Sequence, residues 1–163
     1  MTLDGRLEHR DGAWVLTLVR DFAHRREQVW PWLIEPDRLR QWSPVVPDRD
    51  FGTVGPRQVR EHPEDAAVTG DVLFVDPPRE LVHRWGQDVV RWVLEPTATG
   101  CRLTLEQTMA DREPGPMNAA GWHICLDVLD DVLAGKQTAR AVGEDATRRG
   151  WAALRDQYEQ RLA

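Results

Sequence analysis

Few side chains in this sequence stand at spacings that could do chemistry. His123 and Asp127 are four residues apart, so on a helix the carboxylate would sit one turn from the imidazole. Such a pair could orient a general base or supply two metal ligands. On a helical wheel, however, both fall on the polar arc with Asp130 and Asp131, which predicts a solvent-side pair contributing about a few tenths of a kcal/mol. No third ligand has a suitable spacing, and His9, His24, His62 and His83 are scattered, so neither a metal nor a cofactor is expected. Gly135-Lys136-Gln137-Thr138 echoes the end of a phosphate-binding loop, but that motif needs GxxxxGK[ST] between a strand and a helix, and here the segment follows a helix. Ser43 is the only serine and has no glycine elbow around it, which leaves a hydrolase triad without a nucleophile. Cys101 and Cys125 lack CxxC or Cys/His spacing and read as small buried hydrophobes.

The sequence does supply walls for a cavity. It carries eight tryptophans against one tyrosine and three phenylalanines, and each indole brings a large apolar body with a single N–H to satisfy. The residues expected to line a ligand cavity are Trp42, Phe74, His83, Trp85, Trp92, Met117, Trp122, Cys125, Leu126 and Leu129. The competing reading for the tryptophans is ordinary core. His83 shares a strand face with Leu81 and Trp85 and could hydrogen-bond in or near the cavity. Arg60, Arg91, Thr104 and Glu106 could add polar anchors, or could lie on a solvated outer face. Alternation puts Arg91, Val93 and Glu95 on one face and Trp92 and Leu94 on the other, without saying which face is concave.

Composition sets the frame for these residues. The chain has 163 residues, 41% of them apolar and 29% charged, enough for a continuous core in one domain spanning 1–163. No run approaches the roughly 18 apolar residues of a membrane span. The net charge of −6 argues against a general nucleic-acid binder. Met1 to Asp11 is polar and lacks the apolar run of a signal peptide, which points to the cytoplasm.

The elements that must position the candidates follow from local pattern. Arg6 to His9 and Trp14 to Phe22 flank Asp11-Gly12, a hairpin signal. Arg25 to Leu33 reads as a short helix that Pro31 should kink or stop, and Pro36 opens another short helix through Gln41. Ser43 to Pro56 reads as loop. Five extended runs follow, Arg57 to Glu61, Val68 to Val75, Glu80 to Trp85, Val89 to Leu94 and Cys101 to Met109, parted by short turns as in an antiparallel meander. Asp111 to Met117 reads as loop, and an amphipathic helix begins near Gly121. Its apolar arc holds Trp122, Cys125, Leu126, Leu129, Val132 and Leu133; Ile124 falls outside that arc, and Gly135 should end the helix. Trp151, Leu154, Tyr158 and Leu162 mark a last helix, after an uncertain connection from Lys136 to Thr147. The class is α+β.

This order, together with four segments, resembles the helix-grip proteins of the SRPBCC (START-like, Bet v 1-like) superfamily, specifically AHSA-like homologues of the activator of the heat-shock protein 90 ATPase. The segments are Gln28-Val29-Trp30 with Pro36 and Trp42; Gly70 to Leu73 leading into Asp76 to Leu81; Arg91 to Pro96 followed by Gly100 to Leu105; and Gly121-Trp122-His123 with Leu126, Leu129 and Gly135. The resemblance implies a curved antiparallel sheet gripping a long C-terminal helix, with an apolar cavity between them. It supplies no reaction, because one fold hosts many functions. The expected function is binding of a small apolar or amphipathic molecule. The alternatives are a cyclase- or dehydratase-like enzyme using His83 or His123 with Glu106, and a chaperone-associated interaction protein.

Overall fold

The computed structural model describes residues 5–163, so the first four residues of the polar N-terminal stretch lie outside the description. Strands β1 (Arg6–Arg10) and β2 (Ala13–Phe22) form the expected hairpin. Its two-residue turn has Asp11 at φ 52° and Gly12 at φ 79°, the paired positive angles that match the twist of the flanking strands. Helices α1 (Arg26–Ile34) and α2 (Pro36–Leu39) follow, then short strands β3 (Val46–Pro47), β4 (Gln58–Arg60) and β5 (Val68–Thr69). The remaining strands are β6 (Val72–Asp76), β7 (Glu80–Trp85), β8 (Asp88–Thr97) and β9 (Gly100–Met109). Three helices complete the chain: α3 (Gly115–Leu133), α4 (Glu144–Arg148) and α5 (Trp151–Arg161). Among the described residues no helix is long and apolar enough to cross a membrane.

The main sheet runs β1-β2-β9-β8-β7-β6, antiparallel throughout, so the last strand of the meander closes on β2. Register answers the question of faces. Leu18, Leu105, Trp92 and Leu81 form one rung, and Leu16, Gln107, Val90 and His83 the next on the same face. That face is the concave one under α3, to which it is tied by Trp122 Nε1 donating to Gln107 Oε1 (2.9 Å) and Arg20 to Asp127 (2.8 Å). Arg91 and Glu106 lie on the opposite face with Thr104. There Arg91 bonds Glu80 at 2.7 Å and Glu106 at 2.8 Å, and Arg10 reaches Glu106 at 3.2 Å. These are polar groups of the outer face rather than anchors within the concavity.

Several local expectations change for identifiable reasons. The grip helix begins at Gly115, six residues before Gly121, because Pro116 occupies its first turn, where a missing N–H leaves no bond unmade. It stops as foreseen: Gly135 at φ 82° lets its N–H reach the Val132 carbonyl (3.1 Å) and that of Lys136 the Asp131 carbonyl (3.0 Å). Pro31 does not stop α1, which runs on to Ile34 without the one bond that a prolyl nitrogen cannot make. The extended runs from Arg57 and Val68 do not join the meander as single strands. β4 pairs with β3 and β5 in a separate three-stranded sheet, and Gly70-Asp71 parts β5 from β6. The buried Arg57 guanidinium organises this region by donating to the carbonyls of Asp50, Thr53 and Pro56, and burial lowers its pKa.

The largest departure concerns His123. It is 2% exposed, because α5 packs against the arc of α3 that a wheel of α3 alone assigns to solvent. Its Nδ1 meets the Tyr158 hydroxyl at 2.7 Å. Asp127 Oδ2 lies 3.6 Å from Nε2, beyond hydrogen-bond reach. Ile124, the misfit of the wheel, is buried as well, so α3 is covered on two sides.

The core centres on tryptophan. Trp42, Trp92, Trp122 and Trp85 form an edge-to-face chain with successive ring centroids 5.8, 5.3 and 5.4 Å apart. Such contacts add about 0.5–1.5 kcal/mol each beyond area burial. His83 stacks on Phe51 at 4.5 Å. Its Nε2 accepts the Trp92 indole N–H (3.0 Å), which places the proton on Nδ1, donating to the Arg84 carbonyl (3.0 Å). Burial pushes the His83 pKa down to about 4, partly opposed by the Arg84 carbonyl. A histidine neutral in the fold but titrating near 6.5 in the unfolded chain makes the unfolded state bind the proton first. Stability therefore falls as pH drops from about 6.5 to 4, by up to about 3 kcal/mol. Urea denaturation across that window should show the slope in the parent and a flatter one in His83→Gln, which keeps an acceptor but cannot titrate; parallel curves would contradict this assignment.

Candidate functional site

Beyond Gly135, residues 136–143 form a strap without helix or strand that leads into α4. Arg140 pins it by donating to the Ser43 carbonyl (2.8 Å) and to the Glu61 carbonyl. Ala141 and Val142 are buried by this closure. Between strap and grip helix is a pocket of about 270 Å³. Trp85 at the end of β7, Trp122 and Cys125 on α3, Val142 on the strap and Trp151 at the start of α5 supply most of its wall. Met117 stands on the first turn of α3 and is half exposed at the rim. Small-molecule sites usually run from about 300 Å³ upward, so this one suits a small ligand.

Two of the polar groups in the lining, Trp122 Nε1 and the Asn118 amide, are committed elsewhere. Trp122 turns its N–H to Gln107, whose amide donates to Asp88 Oδ2 (2.8 Å), and so offers the pocket only its ring. Burial raises the Asp88 pKa, with the Gln107 bond opposing it. Asn118 donates to the Pro114 carbonyl (3.1 Å). The Cys125 thiol faces the Ala141 carbonyl at 3.9 Å, and burial pushes its pKa up to about 12, which keeps the nucleophilic thiolate out of reach at neutral pH. What the arrangement can do is enclose apolar surface.

The ten residues expected to line a cavity divide into three groups. Trp85, Met117, Trp122 and Cys125 meet in the pocket. Trp42, Trp92, Leu126 and Leu129 are packed into the core, with His83 buried among them. Phe74 is elsewhere: a register shift between Val72 and Phe74 puts it opposite Val82 on the outer face, 45% exposed. The reason is the bulge, which breaks simple alternation along β6. Glu61 and the strap residues were not foreseen, since a connection with no periodicity gives no sign of what it covers. Trp151 was assigned to the last helix, and only the return of the chain brings it to the pocket. The proton-transfer candidates do not converge: His83 is in the core, His123 under α5 and Glu106 on the outer face.

Glu61, His62 and Asp65 bring three potential metal-ligand atoms within 4.8 Å of one another. They sit on a partly exposed turn in which the His62 backbone N–H donates to Asp65 (3.0 Å), a sufficient account of the cluster. Cys101 is also buried, and its pKa is raised chiefly by burial. Both thiols should therefore resist an aromatic disulfide reagent at pH 8 in the native protein and react fully in denaturant. Prompt reaction of Cys125 in the folded state would show that the strap does not close the pocket.

The fold is shared with solved structures. A conserved protein of unknown function from Enterococcus faecalis, EF2215, superposes with a TM-score of 0.76 at 16% identity, over 96% of this chain and 89% of that one. CalU16 from Micromonospora echinospora gives a TM-score of 0.62 at 20% identity, over 93% and 96%. The AHSA1 protein SPO3351 from Silicibacter pomeroyi gives 0.61 at 26% identity, over 74% and 97%. No curated protein matches the sequence. The family model described as Activator of Hsp90 ATPase homolog 1-like protein matches residues 23–134, from the end of β2 through the grip helix. That span takes in strands β6 to β9 and helix α3, which carry Trp85, Trp122 and Cys125 of the pocket wall, but not β1 and β2, and the chain belongs to the Activator of Hsp90 ATPase homolog 1-like family.

Proposed function

We propose that this chain binds a small apolar or amphipathic molecule in the pocket between the strap and the grip helix. The observation that carries the reading is a lining made mainly of aromatic and aliphatic side chains, in which the Trp122 N–H and the Asn118 amide are bonded away from the space. Affinity would come from apolar burial at roughly 25 cal/mol per Å². If each non-hydrogen atom needs about the volume of one water, the space takes on the order of ten such atoms. That is an eight-carbon chain or a single substituted ring. The residues that would carry binding are Trp85, Met117, Trp122 and Cys125, with Val142 and Trp151 closing the other side. The chain would act as a one-domain cytoplasmic carrier or sensor of such a molecule.

Gly121 gives a direct test. It lines the pocket from within α3, and a Cβ placed there meets nothing within 4 Å. Gly121→Leu should therefore fill the cavity while favouring the helix by about 0.5–1 kcal/mol. Calorimetric titration with 1-octanol should show binding to the parent and at least about a tenfold loss in the variant, whose melting temperature is unchanged or higher. Equal affinity in the two proteins, or none in the parent, would overturn the proposal.

A further inference from the structure

The two sides of the apolar pocket are held in place by different means. Trp85 stands at the end of a strand and Trp122 and Cys125 on a long helix, elements whose backbones are hydrogen-bonded in regular ladders. Ala141, Val142 and Gly143 belong to the strap, which has no such ladder. Among the described residues, no backbone N–H from 137 to 143 donates to another backbone carbonyl. The family model stops at residue 134, so the strap begins where the shared part of the chain ends.

Side chains hold the strap instead. At its base Thr138 Oγ1 donates to Asp131 Oδ2 (3.0 Å), and the Lys136 ammonium lies 3.7 Å from Asp131 Oδ1; both tie it only to the end of α3. The tie to the opposite rim is Arg140, whose guanidinium donates to the Ser43 carbonyl (2.8 Å) and to the Glu61 carbonyl. Glu61 and the residue after Ser43, Pro44, line the pocket, so these bonds lie along its edge. Beyond them, closure rests on the burial of Ala141 and Val142 and on the Cys125 thiol 3.9 Å from the Ala141 carbonyl. A segment with so few backbone bonds opens at a lower free energy than the helix and sheet beneath it.

Both ends of the strap can turn. Gly135 at φ 82° and Gly143 at φ 58° flank it, and neither carries a Cβ to restrict rotation. The chain beyond has no need to move. Helix α5 is fixed on α3 by the Tyr158 hydroxyl against His123 Nδ1 (2.7 Å), and Arg112 donates to the Leu162 carbonyl (2.7 Å).

We propose that residues 136–143 form a lid latched by Arg140, whose release between the two glycines opens the inner end of the apolar pocket at Cys125. The lid's role as an entrance rests on the pocket being a binding site; the latch itself does not. Lids of this kind set how fast a ligand enters and leaves. Cys125 reports the motion, because opening returns a buried thiol to water, where it titrates near 8.5 and reacts as the thiolate. Cys101, on β9 beside Phe22 and Pro96, reports opening of the sheet and serves as the control for global unfolding.

The experiment follows modification of each thiol by an aromatic disulfide reagent at pH 8, resolved by peptide mass mapping, in the parent, Arg140→Met and Arg140→Lys. Methionine keeps an apolar stem without donors, whereas lysine keeps the charge but lacks the fork that spans two carbonyls. Cys125 should react at least about tenfold faster in Arg140→Met than in the parent, with Arg140→Lys between them and Cys101 unchanged. In the parent, 1-octanol should protect Cys125 and leave Cys101 unaffected. Unchanged Cys125 reactivity in Arg140→Met, or acceleration of both thiols together in both variants, overturns the lid. Acceleration of Cys125 alone, without protection by 1-octanol, upholds the lid and overturns the pocket as a binding site.

Discussion

The indole N–H of Trp122 fixes the arrangement around it. An indole buried this deeply needs an acceptor, and the concave face offers Gln107, held in turn by Asp88 at the rim of the sheet. That bond sets the rotation of α3 over the sheet. With Trp122 directed at β9, Gly121 and Cys125 turn toward the strap, and His123 toward α5. A helix committed at one point thus presents one arc to the core, another to Tyr158 and a third to the pocket.

The pocket itself depends on how the polar groups around it are spent. His83 and Trp92 satisfy each other, Trp122 and Gln107 do the same, and Arg140 gives its donors to two backbone carbonyls so that the strap can lie over α3. Each of these bonds is modest in net stabilisation, about 1 kcal/mol, but leaving its donor buried and unmade would cost more. On this wall the Cys125 thiol stays protonated, and in the core beside it His83 stays neutral. On the far side of the strap Arg60 and Arg140 hydrogen-bond to backbone carbonyls among the acidic side chains of Asp48 and Glu61.

Much of this fold could be read from residues acting locally. Asp11-Gly12 specifies its turn through φ alone, Gly135 ends α3 for the same reason, and short turns between β6, β7, β8 and β9 leave no room for crossovers. Features that depend on distant parts of the chain were hidden. The wheel that sent His123 to solvent was sound for an isolated helix and failed because α5 covers that arc. Phe74 was misplaced by a bulge that alternation cannot anticipate. Four wall residues, Trp85, Met117, Trp122 and Cys125, were legible because large or apolar side chains on the sheet end and the grip helix must face something. Ala141, Val142 and Gly143 were not, since their role comes from Arg140 reaching carbonyls that are 97 and 79 positions away in sequence.

A crystal structure of the chain grown with 8-bromo-1-octanol would test the central claim most directly, because bromine reports its own position through anomalous scattering. The account predicts a bromine peak and a continuous alkyl chain in the space bounded by Trp85, Trp122, Cys125 and Val142. An unoccupied or collapsed pocket, with the label on the outer face of the sheet or nowhere ordered, would contradict it.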